Sequence, residues 1–142
     1  MLVRLVYASR AAVPATSAVV DSILVQSRRN NPPLGVTGIL CFSDDLFIQV
    51  LEGGRDEVCE LYNRITRDPR HEQVRILVYE EIAERRFGGW TMGQVDVRKV
   101  NASLLLKYSE KAVLDPFRGS GFASLKLLDE LIATGSVLAR CS

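Results

Sequence analysis

The sequence predicts an α+β fold, a βαββαβ sheet with one more strand at its end, and three observations carry that reading. Residues 2–9 (LVRLVYAS) and 46–52 (LFIQVLE) alternate as strands do, each placing one polar side chain, Tyr7 or Gln49, on an otherwise apolar face. Between the strand-like runs lie two segments with apolar residues at helical spacing, around Ile23 and around Ile65. After Asn101 two further apolar stripes follow with no strand pattern between them. A phenol and a primary amide inside an apolar layer need partners, because an unpaired buried polar group costs roughly 1 to 3 kcal/mol. Tyr7 and Gln49 are therefore either a satisfied core pair or the floor of a polar ligand's site.

In the first strand Val3, Leu5, Tyr7 and Ser9 share one side. Thr16 or Ser17 then caps a helix whose buried stripe is Val20, Ile23, Leu24 and Ser27. That helix is expected to end at Asn30-Asn31, since a residue before proline avoids the α region. Residues 36–42 are apolar and partly β-branched, Ser43-Asp44-Asp45 supplies turn chemistry, and residues 46–51 return as the second arm of an antiparallel hairpin. Phe47, Gln49 and Leu51 share a face of that arm, and Gly53-Gly54 breaks it. The second helix carries Val58, Leu61, Tyr62 and Ile65 inward, with Asp56 and Glu57 in its first turn and Arg64 and Arg67 in its last, complementing the macrodipole. Asp68-Pro69 ends it. Residues 73–80 read as the fourth strand, 85–89 as a loop and 90–97 as the fifth strand, which would set Trp90 and Met92 on one face.

This order is that of a ferredoxin-like sheet with both helices on one face. The other face needs a cover, either a partner chain or the C-terminal stripes. One stripe is Leu104, Leu105, Tyr108 and Ala112; the other, after Asp115-Pro116, is Phe122, Leu125, Leu128 and Ile132. The expected division is residues 1–98 as the sheet domain and 99–142 as a helical extension packing on the sheet or on a partner.

With 142 residues the chain can bury a core without disulfides or a structural metal. Its net charge of +1, from 18 basic and 17 acidic residues spread along the chain, gives no footprint for nucleic acid or an anionic membrane, and neither is expected as a partner. Cys41, Cys59 and Cys141 show no CxxC spacing, and with His71 as the single histidine no zinc set can be assembled. They read as two buried small side chains and a tail thiol. A signal peptide and an apolar run of ~20 residues are both absent, so a cytoplasmic location is expected. There is no GxGxxG fingerprint either, which weighs against a dinucleotide-dependent enzyme.

Taken in order, Tyr7, Asn31, the run VTGIL at 36–40, Gln49 within FIQVLEG at 47–53, and RFGGWTM at 86–92 resemble the BLUF domain, a blue-light sensor that uses FAD. The likeness spans residues 2–97, about two thirds of the chain. It implies a photoreceptor without enzymatic activity in this chain, holding FAD non-covalently with its ring between the helices at Ile23 and Ile65. Asn31, and Asn30 where some members carry histidine, would meet the ring's polar edge; Asp68 and Arg70 would lie toward the ribityl or phosphate chain. Ser9 and Phe47 complete the cofactor-binding set. Tyr7 would supply an electron and a proton to the excited flavin, Gln49 would relay the proton and reorganise, and Trp90 and Met92 would carry the change outward to an unidentified downstream protein or within a homodimer. On the residues alone, Asn30-Asn31 is a helix end, Arg70 a loop charge, and Trp90 and Met92 core filling. A ferredoxin-like interaction or ligand-sensing module without flavin, and a small flavin reductase, are the alternatives.

Overall fold

In the computed structural model, which describes residues 1–133, five strands form one sheet. At its centre β1 (Leu2–Ala11) lies antiparallel to both β3 (Leu46–Gly54) and β4 (His71–Ile82). Beyond β3 comes β2 (Thr37–Phe42), antiparallel to it, and at the edge β5 (Gly93–Asp96) runs parallel to β2. The spatial order β4-β1-β3-β2-β5 is the ferredoxin-like arrangement with one strand added. The central register sets Tyr7 directly opposite Gln49, so the one polar residue on each inner face meets the other.

Helices α1 (Ser17–Leu34) and α2 (Arg55–Thr66) cover the face that carries Val3, Leu5, Tyr7, Leu40, Phe47 and Leu51. The opposite face, with Val6, Ala8, Ile39, Ile48 and Val50, packs against α3 (Ala102–Tyr108) and α4 (Gly121–Ala133). The C-terminal helices thus supply the expected cover. Gly121 permits it: a Cβ there would stand 2.5 Å from the Leu77 carbonyl oxygen, closer than any other side chain allows.

Three expectations are corrected. Helix α1 does not stop at Asn31 but continues through Pro32 and Pro33 to Leu34, capped by Gly35 at φ 71°. The prolines forfeit two helical N–H donors, yet the left-handed glycine directs its own N–H to the Asn31 and Pro32 carbonyls, and Val36 adds a bond to Asn31 of 3.0 Å. Second, β5 begins only at Gly93, so Trp90 and Met92 lie in the preceding bend and strand alternation does not govern them. Met92 is buried with Tyr7 and Phe47, whereas Trp90 packs on the opposite layer. Third, α3 ends at Tyr108, leaving Ala112 outside it, and Phe122 is 68% exposed. Seated through Gly121, α4 turns the expected Leu125 and Leu128 inward together with Leu127 and Leu131, with Ile132 packed beside them. Cys141 and the end of the 99–142 extension lie outside the described residues.

Candidate functional site

Between α1 and α2 a cleft of about 110 Å³ opens over the sheet. Ile23 and Asn31 of α1 form one wall with Gln26 and Asn30, and Leu61 and Ile65 of α2 form the other. Gln49 of β3 lies at the floor, while Asp68, Arg70 and His71 line the end where the chain passes from α2 into β4. Each wall follows from the amphipathic stripe of its helix, and the floor follows from the register that brings Gln49 inward.

Tyr7, wholly buried, donates its hydroxyl proton to Gln49 Oε1. Gln49 Nε2 in turn points at Met92 Sδ, 3.4 Å away. One amide is therefore held at both ends, by a phenol on one side and a thioether on the other. Burial, with the nearby Asp68 carboxylate and Tyr62 phenol, pushes the Tyr7 hydroxyl far above the usual phenol range despite the opposing Arg70 charge, so it stays neutral. Tyr62 and His71 meet the Tyr7 ring edge-on at centroid distances of 5.9 and 6.1 Å.

A second layer supports this one. Ser9 Oγ lies 2.7 Å from His71 Nδ1, and the Phe47 ring sits 5.0 Å from the imidazole. Burial lowers the His71 pKa below its ordinary value; Asp68 opposes that shift and Arg70 adds to it. Arg70 reaches across the cleft, with Nη1 at 3.0 Å from Ser22 Oγ and Nη2 at 2.6 Å from both Gln26 Oε1 and Asp68 Oδ2. Burial alone would raise the Asp68 carboxyl, but the hydrogen bonds and charge of Arg70 hold it below the usual carboxylate range.

One polar atom here has no partner. Among the described residues, Asn31 Nδ2 is the buried side-chain donor without a hydrogen bond, on a residue 2% exposed that lines the cleft. An orphan amide in an apolar slot is costly unless a ligand carbonyl or ring nitrogen accepts from it. The donor set fits a flavin's edge: apolar walls for the ring, amides for its carbonyls, and cations toward its phosphates.

Of the residues expected from the sequence, Ile23, Asn30, Asn31, Gln49, Ile65, Asp68 and Arg70 line the cleft itself. Tyr7, Ser9 and Phe47 stand one layer behind, each touching it through Gln49 or His71. Met92 faces Gln49, and Trp90 packs against the α3–α4 cluster. Sequence reasoning missed Gln26, Ser27, Leu61, Arg64 and His71 as lining residues. Gln26 is legible in the sequence, three residues on from Ile23 on one helix face, whereas no local pattern marks His71.

Glu52, wholly buried, also lay outside the expected set. Its carboxylate takes the Arg4 guanidinium at 2.7 Å and the main-chain amides of Arg86 and Phe87 at 3.1 and 2.6 Å, anchoring the loop that leads to Met92. Among the described residues no group of side chains could hold a metal ion, and no helix is long and apolar enough to cross a membrane.

A family profile described as BLUF, sensors of blue-light using FAD, matches residues 2–93. A photoactivated adenylate cyclase subunit beta of Euglena longa is 36% identical over 92 residues, covering 64% of this chain and 11% of that protein. The blue light- and temperature-regulated antirepressor BluF of Escherichia coli is 34% identical over 98 residues, covering 69% of this chain and 24% of its own length. The chain thus spans between a tenth and a quarter of these curated relatives. Among solved structures, the dark state of BlrB superposes with a TM-score of 0.77 at 32% identity, covering 94% of this chain and 96% of that one. The photo-activated state of BlsA gives 0.81 at 29% identity, with 93% and 95% covered. With its ferredoxin-like sheet, its Tyr7–Gln49 pair and a family match over most of its length, the chain belongs to the BLUF family of blue-light sensors that use FAD.

Proposed function

We propose that this chain is a blue-light receptor that holds FAD non-covalently between α1 and α2, reads its excitation through Tyr7 and Gln49, and signals by contact with another protein. The observation that carries the reading is the Tyr7–Gln49–Met92 chain of contacts beside a cleft with an orphan Asn31 amide. When bound, FAD supplies blue-light absorption and, once excited, a transient acceptor for one electron and one proton that are afterwards returned. Ile23 and Ile65 exclude water from its ring, and Asn31 with Asn30 orients its polar edge. Asp68 and Arg70 hold the end of the cleft, Ser9 sets the His71 imidazole, and Phe47 backs it.

Tyr7 is the group that gives. Its hydroxyl, neutral and already bonded to Gln49 Oε1, can pass its proton to that oxygen as the electron leaves the ring, and both come back to Tyr7. Gln49 is the group that records the event, because its amide can rotate or tautomerise while the proton is displaced. Rotation exchanges the atoms that face Tyr7 and Met92, whereas tautomerisation leaves them in place and exchanges donor for acceptor; either alters the Nε2 contact with Met92. Net chemistry is nil. Neither described cysteine lines the cleft, in keeping with a non-covalent chromophore; burial pushes the Cys41 thiol up to about 12, and it lies on the opposite layer.

In this reading residues 1–98 are the sensing unit and 99–142 the extension through which the altered sheet is read by a downstream protein or a second copy. The chain itself turns nothing over. The test is one pair of spectra from protein reconstituted with FAD and purified, dark and lit. A reversible red shift of the bound flavin, with intact flavin released by acid, is expected. A folded but colourless protein in excess FAD would reduce the chain to an interaction module, and bleaching by NADH in the dark would make it a reductase.

A further inference from the structure

Helix α1 does more than wall the cleft. Arg28, an exposed residue of α1, donates from Nη2 to the main-chain oxygen of Met92, at 3.1 Å. Met92 precedes the first residue of β5, so this bond holds a point that the β-ladder does not.

The neighbouring segment is pinned by other means. The Arg86 and Phe87 amides go to the buried Glu52 carboxylate, and the Trp90 oxygen accepts from the Gly38 amide at 2.9 Å. Met92 therefore has two handles of different kinds: its sulfur meets the Gln49 amide, and its carbonyl meets a cation on α1. That same helix carries Ile23 and Asn31, the latter one turn beyond Arg28.

We infer that Arg28 is a positioning residue that keeps Met92 turned inward against Gln49, and so favours the amide arrangement in which Oε1 faces Tyr7 and Nε2 faces the sulfur. The inference deepens the photoreceptor reading above and rests on it. A hydrogen bond from a guanidinium to a carbonyl is charge-assisted and stronger than a neutral one, yet at an exposed residue it can exchange with water, which suits a bond that must yield when Gln49 rearranges. A bond that stabilises one arrangement more than the other shifts their populations by that difference. Without Arg28 the arrangement described here loses support relative to the rearranged one, and the lit state lives longer.

The experiment is dark recovery of the red-shifted band in FAD-loaded protein. Arg28→Ala is expected to keep flavin and the shift while lengthening recovery at least about threefold. Arg28→Lys, which retains a cationic donor, should restore most of the original rate. In a Met92→Leu background, where the sulfur contact is already gone, Arg28→Ala should have a much smaller effect, because the two residues act through one contact. Should Arg28→Ala fail to hold flavin, Arg28→Gln carries the same measurement with the side-chain length nearly kept. Recovery that is unchanged or faster in the Arg28 variant overturns the inference, as does a full, additive effect in the Met92→Leu background. Absence of any photocycle in the unaltered protein would instead overturn the reading on which it rests.

Discussion

The two faces of the sheet are built from the same strands, yet they solve different problems. On the α3–α4 side the strands contribute Val6, Ala8, Ile39, Ile48 and Val50 against leucines of α4, and the polar residues that alternation adds to that face, Arg4 and Glu52, are locked to each other in a buried ion pair of 2.7 Å. On the α1–α2 side Tyr7, Ser9, Asn31, Gln49 and His71 are buried among equally apolar neighbours. The first face is stabilised by area and fit, at roughly 25 cal/mol per Å² of apolar surface. The second gives up part of that stabilisation to hold polar groups in a dry place, where each hydrogen bond has few competitors and a change of partner is felt. Function sits where buried polar groups are neutral and can change partners, rather than where they are fixed in an ion pair.

The comparison is broken most severely at Tyr7. Tyr7→Phe keeps the ring and its edge-on contacts but loses the phenolic proton, so flavin should still bind while the reversible red shift disappears. Gln49→Leu should do the same, and a full shift in either variant would end the proposed relay. On the opposite face Leu128→Ala should cost about 2 to 5 kcal/mol in a denaturant melt, since a buried leucine leaves a cavity, yet leave the wavelength shift intact. If that variant lost the shift instead, the two faces would not be separable.

A smaller effect is expected from Asn31→Ala. It removes the orphan amide, so the apparent flavin Kd should rise by about tenfold, the worth of one hydrogen bond, while the flavin-free protein should be no less stable. Least of all is the pH effect of His71. Its folded pKa lies below the ordinary 6.5, so keeping it neutral contributes stability that is fully present above about 6.5 and is lost as pH falls through the folded value. Melts of the flavin-free protein between pH 8 and 5 should show a decline that His71→Asn flattens; an equal decline in both would place the acid sensitivity elsewhere.

Much of this is legible in the sequence alone. Alternation in β1 and β3 placed Tyr7 and Gln49 inward, and the ordered run from Tyr7 to Met92 pointed to the family. What misled was local. Pro32 and Pro33 read as a stop because the rule for residues before proline considers only the backbone nearby. The cap supplied by Gly35, with the Val36 amide also bonded to the Asn31 carbonyl, overrides it. Trp90 and Met92 were placed on one face by assuming a strand that starts three residues later.

By itself the sequence determined which residue types face inward, since periodicity is a property of consecutive residues and survives any packing. It thereby determined the fold class, while the resemblance of the ordered motifs to the BLUF domain made Tyr7 and Gln49 the candidates for the photochemistry. Only the tertiary structure decided which of Trp90 and Met92 meets Gln49, that Arg70 bridges Ser22, Gln26 and Asp68, and that Glu52 and Arg28 hold the two ends of one loop. These are contacts between residues distant in the chain, Arg28 and Met92 being separated by 64 positions, and no local pattern encodes where a long flexible side chain finds its partner. That choice is made by whichever buried donor or acceptor would otherwise go unpaired when the elements close on one another.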